Sequence, residues 1–264
     1  MKKLLQISNG IALICTIVIN YLSNTGLLNN TTIGEVSKNL NTLFTPAGYA
    51  FAIWGFIYLL LIAFVVYQGR SLFVKVKNDD FVLKVGWWFV VSCIANSAWV
   101  FLWIYGYTGL SCVFIFLLLF SLLKIVINNA MELWDAPIPV IAFLWWPFVI
   151  YSGWVAVASI VNVAAYLVKT GWGGFGMSAV AWTIFMIIIA LIINLIVTWI
   201  RNMREFAMVG VWALAAIAYA NYDEAVTITY VASVAALILL ISSSVHAYQN
   251  RESSPIEKMK QYFK

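Results

Sequence analysis

The stretch FTPAGYAFAIWGFIYLLLIAFVVY, residues 44–67, decides the fold. It contains no charged side chain, and its length matches the roughly 20 apolar residues that a helix needs to cross the hydrocarbon core of a bilayer. The rest of the chain has the same character, since 64% of its 264 residues are hydrophobic and only 9% are charged. This composition lies far outside that of soluble globular domains. The sequence therefore predicts a polytopic membrane protein.

Apolar runs of this kind recur along the whole chain. They are continuously apolar and lack the alternation of polar and apolar residues that is typical of a membrane β-barrel, so they predict an all-α bundle of transmembrane helices. The fifth run is long and the seventh is short, which makes their boundaries the least defined. The eight predicted spans are 7–22, 44–67, 86–104, 109–127, 138–166, 178–200, 206–221 and 225–247.

The basic residues test this number of helices independently, because Lys and Arg concentrate in the short cytoplasmic loops of membrane proteins. With eight spans and both termini in the cytoplasm, only Lys38 and Lys169 of the 15 basic residues fall on the other side. The basic start of the chain also fits a signal peptide, but no A-x-A-like cleavage site follows it, which favours a retained first helix. The sequence predicts an integral protein of the bacterial cytoplasmic (inner) membrane. Topology explains the net charge of +5, so no nucleic-acid partner is expected.

The predicted spans contain few residues that could carry out chemistry. All ten acidic residues fall in loops or at helix ends, which argues against proton pumps and ion-coupled transporters with a carboxylate near the bilayer midplane. The single histidine, His246, excludes haem held by two histidines, and the three cysteines lack the spacing of metal ligands. No phosphate-binding glycine loop or G-x-S-x-G motif occurs. We therefore expect no catalytic residues, no metal and no resident cofactor.

Aromatic residues make up 16% of the chain, and their spacing is informative. In the second span Phe51, Trp54 and Tyr58 lie at positions i, i+3 and i+7, which places them on one face of a helix. Trp54 lies too deep for the aromatic belt at the membrane surface. Comparable single-faced stripes occur in the third span, with Ser92, Asn96, Trp99 and Trp103, and in the fifth, with Tyr151, Trp154, Ala158 and Asn162.

Two interpretations of these stripes follow from the residues. An amide in hydrocarbon that lacks a partner costs on the order of a kilocalorie per mole or more, so Asn96 and Asn162 should face the bundle interior. The amides could join helices while the rings fill the core. Alternatively, the rings could form the flat wall of a small-molecule site with a few polar groups. Spacing by itself favours packing and leaves the second interpretation open.

Three blocks of sequence bear on this choice. NTLFTPAGYAFAIWGFIYLLL (41–61), ANSAWVFLWIYG (95–106) and YSGWVAVASIVN (151–162) occur in this order, and together they resemble the TspO/MBR family of tryptophan-rich sensory or translocator proteins. The resemblance covers residues 1–168. It implies a five-helix bundle around a pocket for flat hydrophobic ligands, either tetrapyrroles such as protoporphyrin or haem, or sterol-like molecules. It also implies that residues 23–43 form a lid over this pocket.

The resemblance implies the ligand-binding residues position by position. Trp54 and Trp154 match the two tryptophans that flank the ligand, and Pro46 matches a proline at the lid junction. The chain departs from many relatives at Ala47, Ser92 and Ile150, where they have proline, glutamine and proline. The predicted ligand-binding residues are Pro46, Phe51, Trp54, Tyr58, Ser92, Asn96, Trp99, Tyr151, Trp154, Ala158 and Asn162.

Residues 169–248 are predicted to add three transmembrane helices that the compact family members lack, and residues 249–264 to form a basic cytoplasmic tail. The three helices carry no catalytic constellation, so packing, oligomerisation or partner docking is their expected role. Three functions stay open: a receptor or carrier for the flat ligand, an enzyme that degrades porphyrin, and a transporter that the added helices complete. The expected partners are a hydrophobic small molecule, membrane lipid and, in a homodimer, a second copy of the chain.

Overall fold

A computed structural model describes residues 1–40, 42–76, 79–251 and 257–259. Within these residues the regular structure is helical and contains no β-strand, which confirms the predicted all-α fold. Each of the eight predicted spans is a helix. The long helices are α1 (Lys2–Ser23), α2 (Ile53–Gly69), α3 (Trp88–Ile104), α4 (Thr108–Asn128), α5 (Ile138–Lys169), α6 (Ala179–Arg201), α7 (Arg204–Ala220) and α8 (Val226–Gln249).

Helix length agrees with a membrane protein. Among the described residues, six helices are long and apolar enough to cross a bilayer: α1, α4, α5, α6, α8, and α2 together with its flanking 3₁₀ turns (Gly48–Leu72). Helices α3 and α7 have 17 residues each, which is at the lower limit for a crossing. The expectation of a long fifth helix and a short seventh helix is therefore confirmed.

Helix α5 lies at the centre of the bundle, where it packs against α2, α4 and α7. Its beginning is distorted for a reason visible in the sequence. Pro147 has no backbone N–H to donate to the carbonyl of Phe143, so a regular α-helical hydrogen bond is missing there. The residues before it, Ile141–Trp145, form a π-helical turn, and regular α-helix follows over Trp146–Lys169.

Helix α7 joins the last three helices to the first five, and two glycines allow it to approach its neighbours closely. It meets α5 at Gly153, where an added Cβ would lie 3.1 Å from the carbonyl oxygen of Phe206. It meets α6 at Gly210, where an added Cβ would lie 2.6 Å from Oδ1 of Asn194. A larger residue at either glycine would push the helices apart.

Helix α7 also holds the residues that lead into α2. The backbone N–H of Ala47 donates to the carbonyl of Ala216 (3.1 Å), and Nε1 of Trp212 donates to the carbonyl of Ala50 (3.2 Å). The predicted parts 1–168 and 169–248 are thus bonded to each other at this junction. Of the predicted tail 249–264, residues 252–256 and 260–264 lie outside the described part of the chain.

The two ends of the bundle differ in charge. One end, which we call the basic end, carries Lys2, Arg70, Lys84 and Arg201, and an ion pair between Lys2 and Asp79 fastens the start of α1 there. The opposite end, the loop end, carries the loop between α1 and α2. We call residues 24–47 the first loop. It contains a short helix, Ile33–Asn39.

Candidate functional site: an aromatic chamber

Four aromatic rings surround Trp54 in the interior of the bundle. Tyr58 and Trp99 lie nearly parallel to it, with ring centroids 5.8 and 6.1 Å away. Tyr151 and Trp154 meet it edge to face at 5.8 and 6.4 Å. These residues come from α2, α3 and α5, so the three stripes read from the sequence converge on one cluster.

Further rings extend the cluster towards the loop end. Phe51 contacts Trp154 edge to face at 6.0 Å, and Trp103 stacks on Trp99 at 6.1 Å. Such aromatic pairs contribute roughly 0.5 to 1.5 kcal/mol each beyond the burial of their area. Nε1 of Trp103 donates a hydrogen bond to the carbonyl of Ile33 at 3.3 Å. The end of the ring cluster is therefore bonded directly to the first loop.

Asn96 fixes the deep side of the cluster. Its Oδ1 accepts a hydrogen bond from Nδ2 of Asn20 at 2.7 Å, and its Nδ2 donates to the hydroxyl of Tyr151 at 3.0 Å. The Asn96 side chain is fully buried, so these bonds supply the partners that an amide needs in hydrocarbon. They join α1, α3 and α5 and hold the Tyr151 ring against Trp54.

Asn162 has the same role nearer the loop end. Its Oδ1 accepts hydrogen bonds from Nε1 of Trp99 (2.9 Å) and from Oγ of Ser111 (3.1 Å), while its Nδ2 donates to the carbonyl of Ala158 (2.8 Å). These bonds join α3, α4 and α5. Both amides thus make the interhelical hydrogen bonds of the packing interpretation. They also orient the rings of the cluster, so the two interpretations do not exclude each other.

A small cavity, which we call the aromatic chamber, lies between these rings and the first loop. Its volume is about 20 Å³, which is room for about one water molecule, whereas small-molecule sites usually measure about 300 to 1,000 Å³. The planes of Trp54 and Trp154 are 88° apart, so a flat molecule cannot stack on both in this conformation. The chamber is lined by Ile33, Ser37, Pro46, Phe51, Trp54, Trp99, Trp103, Trp154, Val157, Ala158, Val161 and Asn162.

Most of the residues predicted from the sequence lie at this chamber. Tyr58, Asn96 and Tyr151 stand in the surrounding cluster, one layer behind the lining. Ser92 does not line the chamber, and its hydroxyl donates to the carbonyl of Phe89 within α3 at 2.7 Å. The predicted residues that line the chamber are Pro46, Phe51, Trp54, Trp99, Trp154, Ala158 and Asn162.

Several residues of the site were missed by the sequence analysis. Trp103 continues the stripe of the third span and could have been included on that ground. Asn20 is an amide inside a predicted span, so the argument applied to Asn96 and Asn162 applies to it as well. Ile33 and Ser37 were not named individually, although both lie within residues 23–43, the lid that the resemblance implies.

The short helix Ile33–Asn39 covers the chamber. It begins with a capping box, in which Oγ1 of Thr32 accepts from the N–H of Glu35 (3.2 Å) and Oε2 of Glu35 accepts from the N–H of Thr32 (2.8 Å). Two hydrogen bonds attach the first loop to the end of α3. One is the Trp103 bond to Ile33, and the other runs from Nδ2 of Asn29 to the carbonyl of Ile104 at 3.1 Å. Farther along the first loop, the carbonyl of Leu43 accepts a hydrogen bond from Nδ2 of Asn221 at 2.9 Å, so the loop is held by α3 at its short helix and by the region of α7 near its end.

Two polar atoms of the chamber lack partners. The indole Nε1 atoms of Trp54 and Trp154 are buried, and neither finds a hydrogen-bond acceptor among the described residues. A buried donor without a partner costs roughly 1 to 3 kcal/mol, and tryptophans in protein interiors normally bond this group. The chamber thus combines apolar ring surface with two free donors.

Comparison with known proteins identifies the family of the chain. No curated protein and no solved structure matches it. The family model described as TSPO-like protein matches residues 6–245, a range that includes the three helices α6, α7 and α8. The match covers most of the chain, and together with the long apolar helices it assigns an integral membrane protein of the TspO type. The chain belongs to the TSPO-like protein family.

Proposed function

We propose that the protein is a membrane receptor or carrier that binds a flat hydrophobic molecule, of the tetrapyrrole (porphyrin) or sterol-like class, in the aromatic chamber. The observation that carries this proposal is the pair of free indole N–H groups on Trp54 and Trp154, in a chamber otherwise lined by rings and aliphatic side chains. A ligand with an oxygen or nitrogen acceptor satisfies these donors. Its flat apolar surface gains stacking and burial energy from the surrounding rings.

Binding requires the chamber to open, because about 20 Å³ holds no such ligand. The part of the first loop that contains the short helix Ile33–Asn39 can move while Leu43 and Ala47 stay bonded to Asn221 and Ala216, because two hydrogen bonds attach it to α3 and the bond from Trp103 is long at 3.3 Å. A typical hydrogen bond contributes about 0.5 to 1.5 kcal/mol. Displacing the short helix Ile33–Asn39 exposes Trp103 and Phe51 first, and rotation of Trp54 or Trp154 then makes room behind them.

Titration with protoporphyrin, followed by quenching of tryptophan fluorescence in detergent, tests the proposal. The variant Trp54→Ala/Trp154→Ala should bind at least about tenfold more weakly, because it loses two stacking surfaces and both free donors. The variant Trp54→Phe/Trp154→Phe keeps ring surface but removes the N–H groups. It should fall between the alanine variant and the wild type.

The matched control removes two tryptophans elsewhere. Trp87 and Trp199 are 49% and 47% exposed and do not line the chamber. Trp87→Ala/Trp199→Ala should therefore bind protoporphyrin like the wild type. Unchanged binding in the Trp54→Ala/Trp154→Ala variant would remove the chamber as the site. An equal loss in both double variants would show that quenching reports adsorption to the apolar surface.

A further inference from the structure

A second and much larger cavity lies on the other side of α5, between α4, α5 and α6. We call it the lateral cleft. Its volume is about 900 Å³, at the upper end of the range of about 300 to 1,000 Å³ for small-molecule sites. It begins at Trp172 and Trp182 at the loop end and ends at Arg201 at the basic end. Among the described residues that line it, Arg201 is the only charged one.

The lateral cleft follows α6 across the bilayer. Its lining includes Trp182, Met186, Ala190, Val197 and Arg201, which recur at helical spacing and form one stripe. Helix α6 has 23 residues, and at 1.5 Å per residue it is about 35 Å long, slightly more than the roughly 30 Å of a hydrocarbon core. The cleft therefore passes through both leaflets.

The cleft is open because the helices on its sides do not close on each other. Ala156, Ser159 and Ala164 of α5 and Ala190 of α6 line it, and small residues of this kind normally let membrane helices pack closely. Helix α6 instead packs against α7 and α8. An apolar space of this size beside lipid forfeits dispersion contacts if nothing fills it. Its side chains match a hydrocarbon chain, which the bilayer supplies.

Arg201 lies at the end of the cleft, in a position to bind the headgroup of such a lipid. Its side chain is half-buried, and its Nη2 makes one long hydrogen bond of 3.4 Å to the carbonyl of Met131. A guanidinium has five N–H donors. The ion pairs of the described chain involve Lys2 and Lys258, and neither includes Arg201. Arginine binds phosphate oxygens in a bidentate manner, and an unpaired arginine at the end of an apolar cleft is complementary to a lipid phosphate.

We propose that the basic-end half of the lateral cleft is a binding site for an anionic phospholipid. The phosphate bonds Arg201, and one acyl chain lies along α6 over Val197 and Ala190, between α4 and α6. This site is separate from the aromatic chamber, and it does not depend on the ligand of the chamber. The two sites take different shapes of molecule, a flat one in the chamber and an extended one in the cleft.

Native mass spectrometry of the full-length protein tests the proposal. The detergent-solubilised protein is delipidated and then titrated with phosphatidylglycerol or with phosphatidylcholine of the same acyl chains. The wild type should retain one phosphatidylglycerol with at least about fivefold preference over phosphatidylcholine, which corresponds to the roughly 1 kcal/mol that one basic residue contributes at an anionic surface. Equal retention of the two lipids overturns the proposal.

Two variants locate the site, each with a matched control. Val197→Trp fills the cleft and should abolish retention, whereas Val245→Trp places the same ring on the exposed face of α8 (Val245 is 44% exposed) and should not. Arg201→Gln should remove the preference for phosphatidylglycerol, whereas Arg251→Gln, at an exposed position of the same end, should keep it. Thermal unfolding is measured for every variant.

These variants separate a specific site from general adsorption of lipid. If Val197→Trp is folded and retains phosphatidylglycerol like the wild type, the lipid binds elsewhere and the proposal is wrong. If Arg251→Gln loses the preference as fully as Arg201→Gln, the preference comes from the net charge of the basic end, and the assignment to Arg201 is wrong. Should Val197→Trp not fold, the Arg201→Gln and Arg251→Gln pair alone decides the outcome.

Discussion

The two sides of α5 show how residue size and polarity decide the kind of cavity that a helix lines. On one side Tyr151, Trp154 and Asn162 meet rings of α2 and α3, the amide of Asn96 and the hydroxyl of Ser111 on α4, and about 20 Å³ of space is left. On the other side Ala156 and Ala164 face the lateral cleft of about 900 Å³. The two cavities lie so close together that Val157 lines both.

The difference lies in how each side is held. On the chamber side, large rings fill the space and hydrogen-bonded amides fix the helices around them, so a ligand enters only if the first loop and the rings move. On the cleft side, no interhelical hydrogen bond links α5 to α6 within the described chain, and lipid can reach the space directly. The first arrangement suits a ligand whose entry the first loop controls, and the second suits a lipid that stays bound.

The largest predicted effect comes from the contact between α5 and α7 at Gly153. Gly153→Leu places a side chain where even a Cβ would lie 3.1 Å from Phe206 and Val209 of α7, so it should lower the free energy of unfolding by about 3 kcal/mol or more. Gly55→Leu is the control, because an added Cβ at Gly55 meets nothing within 4 Å. Thermal unfolding in detergent measures both. Similar losses in the two variants would contradict the close approach of α5 and α7.

The next prediction compares Asn162, an amide that lines the chamber, with Asn194, an amide that lines the cleft. Asn162→Ala leaves the buried Nε1 of Trp99 without its acceptor, whereas Oγ of Ser111 keeps its bond to the carbonyl of Thr108; the variant should cost about 2 kcal/mol. In Asn194, which lines the cleft, Nδ2 donates to the carbonyl of Ala190 in its own helix and Oδ1 has no partner within the described residues. Asn194→Ala loses this one intrahelical bond but also removes a buried oxygen without a partner, and these two effects offset each other, so the variant should change stability by less than about 0.5 kcal/mol. If Asn194→Ala costs as much as Asn162→Ala, the contrast between the two sides is wrong.

The pH dependence of stability should be traceable to a buried carboxyl group at the basic end, Glu132. Burial, and then the neighbouring Glu205, raise the pKa of Glu132 to about 8. Because the folded protein holds this proton and the unfolded chain releases it near pH 4.5, the free energy of unfolding should fall as pH rises from about 5 to about 8. Unfolding temperatures measured across this range test the prediction.

The Glu132→Gln variant, which is neutral at every pH, should flatten this dependence. Asp223→Asn, which changes an exposed carboxylate at the loop end, should leave it unchanged. Glu132 lies beside Met131, whose carbonyl accepts the bond from Arg201, so the titration should alter lipid retention more than protoporphyrin binding. A pH profile that is the same in Glu132→Gln and the wild type would assign the effect to other groups.

The smallest effect concerns the attachment of the first loop. Trp103→Phe keeps a ring on Trp99 but removes the donor to the carbonyl of Ile33, so it should cost no more than about 1 kcal/mol. With the loop less firmly held, protoporphyrin should associate several times faster in stopped-flow fluorescence. Lipid retention in the cleft should not change. An unchanged association rate would mean that the first loop does not limit access to the chamber.

The sequence was sufficient for the helices, which depend on local patterns, and for most residues of the chamber, which the single-faced stripes and the resemblance to the TspO/MBR family indicate together. Uncharged runs of sufficient length must become helices in a bilayer, since their backbone groups have no other partners there. The spacing of Phe51, Trp54 and Tyr58 already places them on one face. The positions of Asn96 and Asn162 follow from the cost of an unbonded amide in hydrocarbon.

What could not be predicted depends on how separate helices pack. The first loop brings Ile33 to Trp103, and no periodicity in either segment predicts that contact. The lateral cleft could not be predicted for the same reason. In the sequence Ala190 and Val197 are ordinary apolar residues of a membrane helix, and only the packing of α6 against α7 and α8 places them in a cleft. The closing of the chamber is also a property of packing, since rings that fill a space and rings that line one have the same spacing along a helix.

A density map of the protein in lipid nanodiscs with protoporphyrin tests the central claim most directly, namely that the two sides of α5 hold different molecules. The account predicts flat density against Trp54 in an enlarged chamber, with the first loop displaced from Trp103. It also predicts extended density in the lateral cleft that ends at Arg201. Flat density in the cleft, beside a chamber still closed around Trp54, would contradict it.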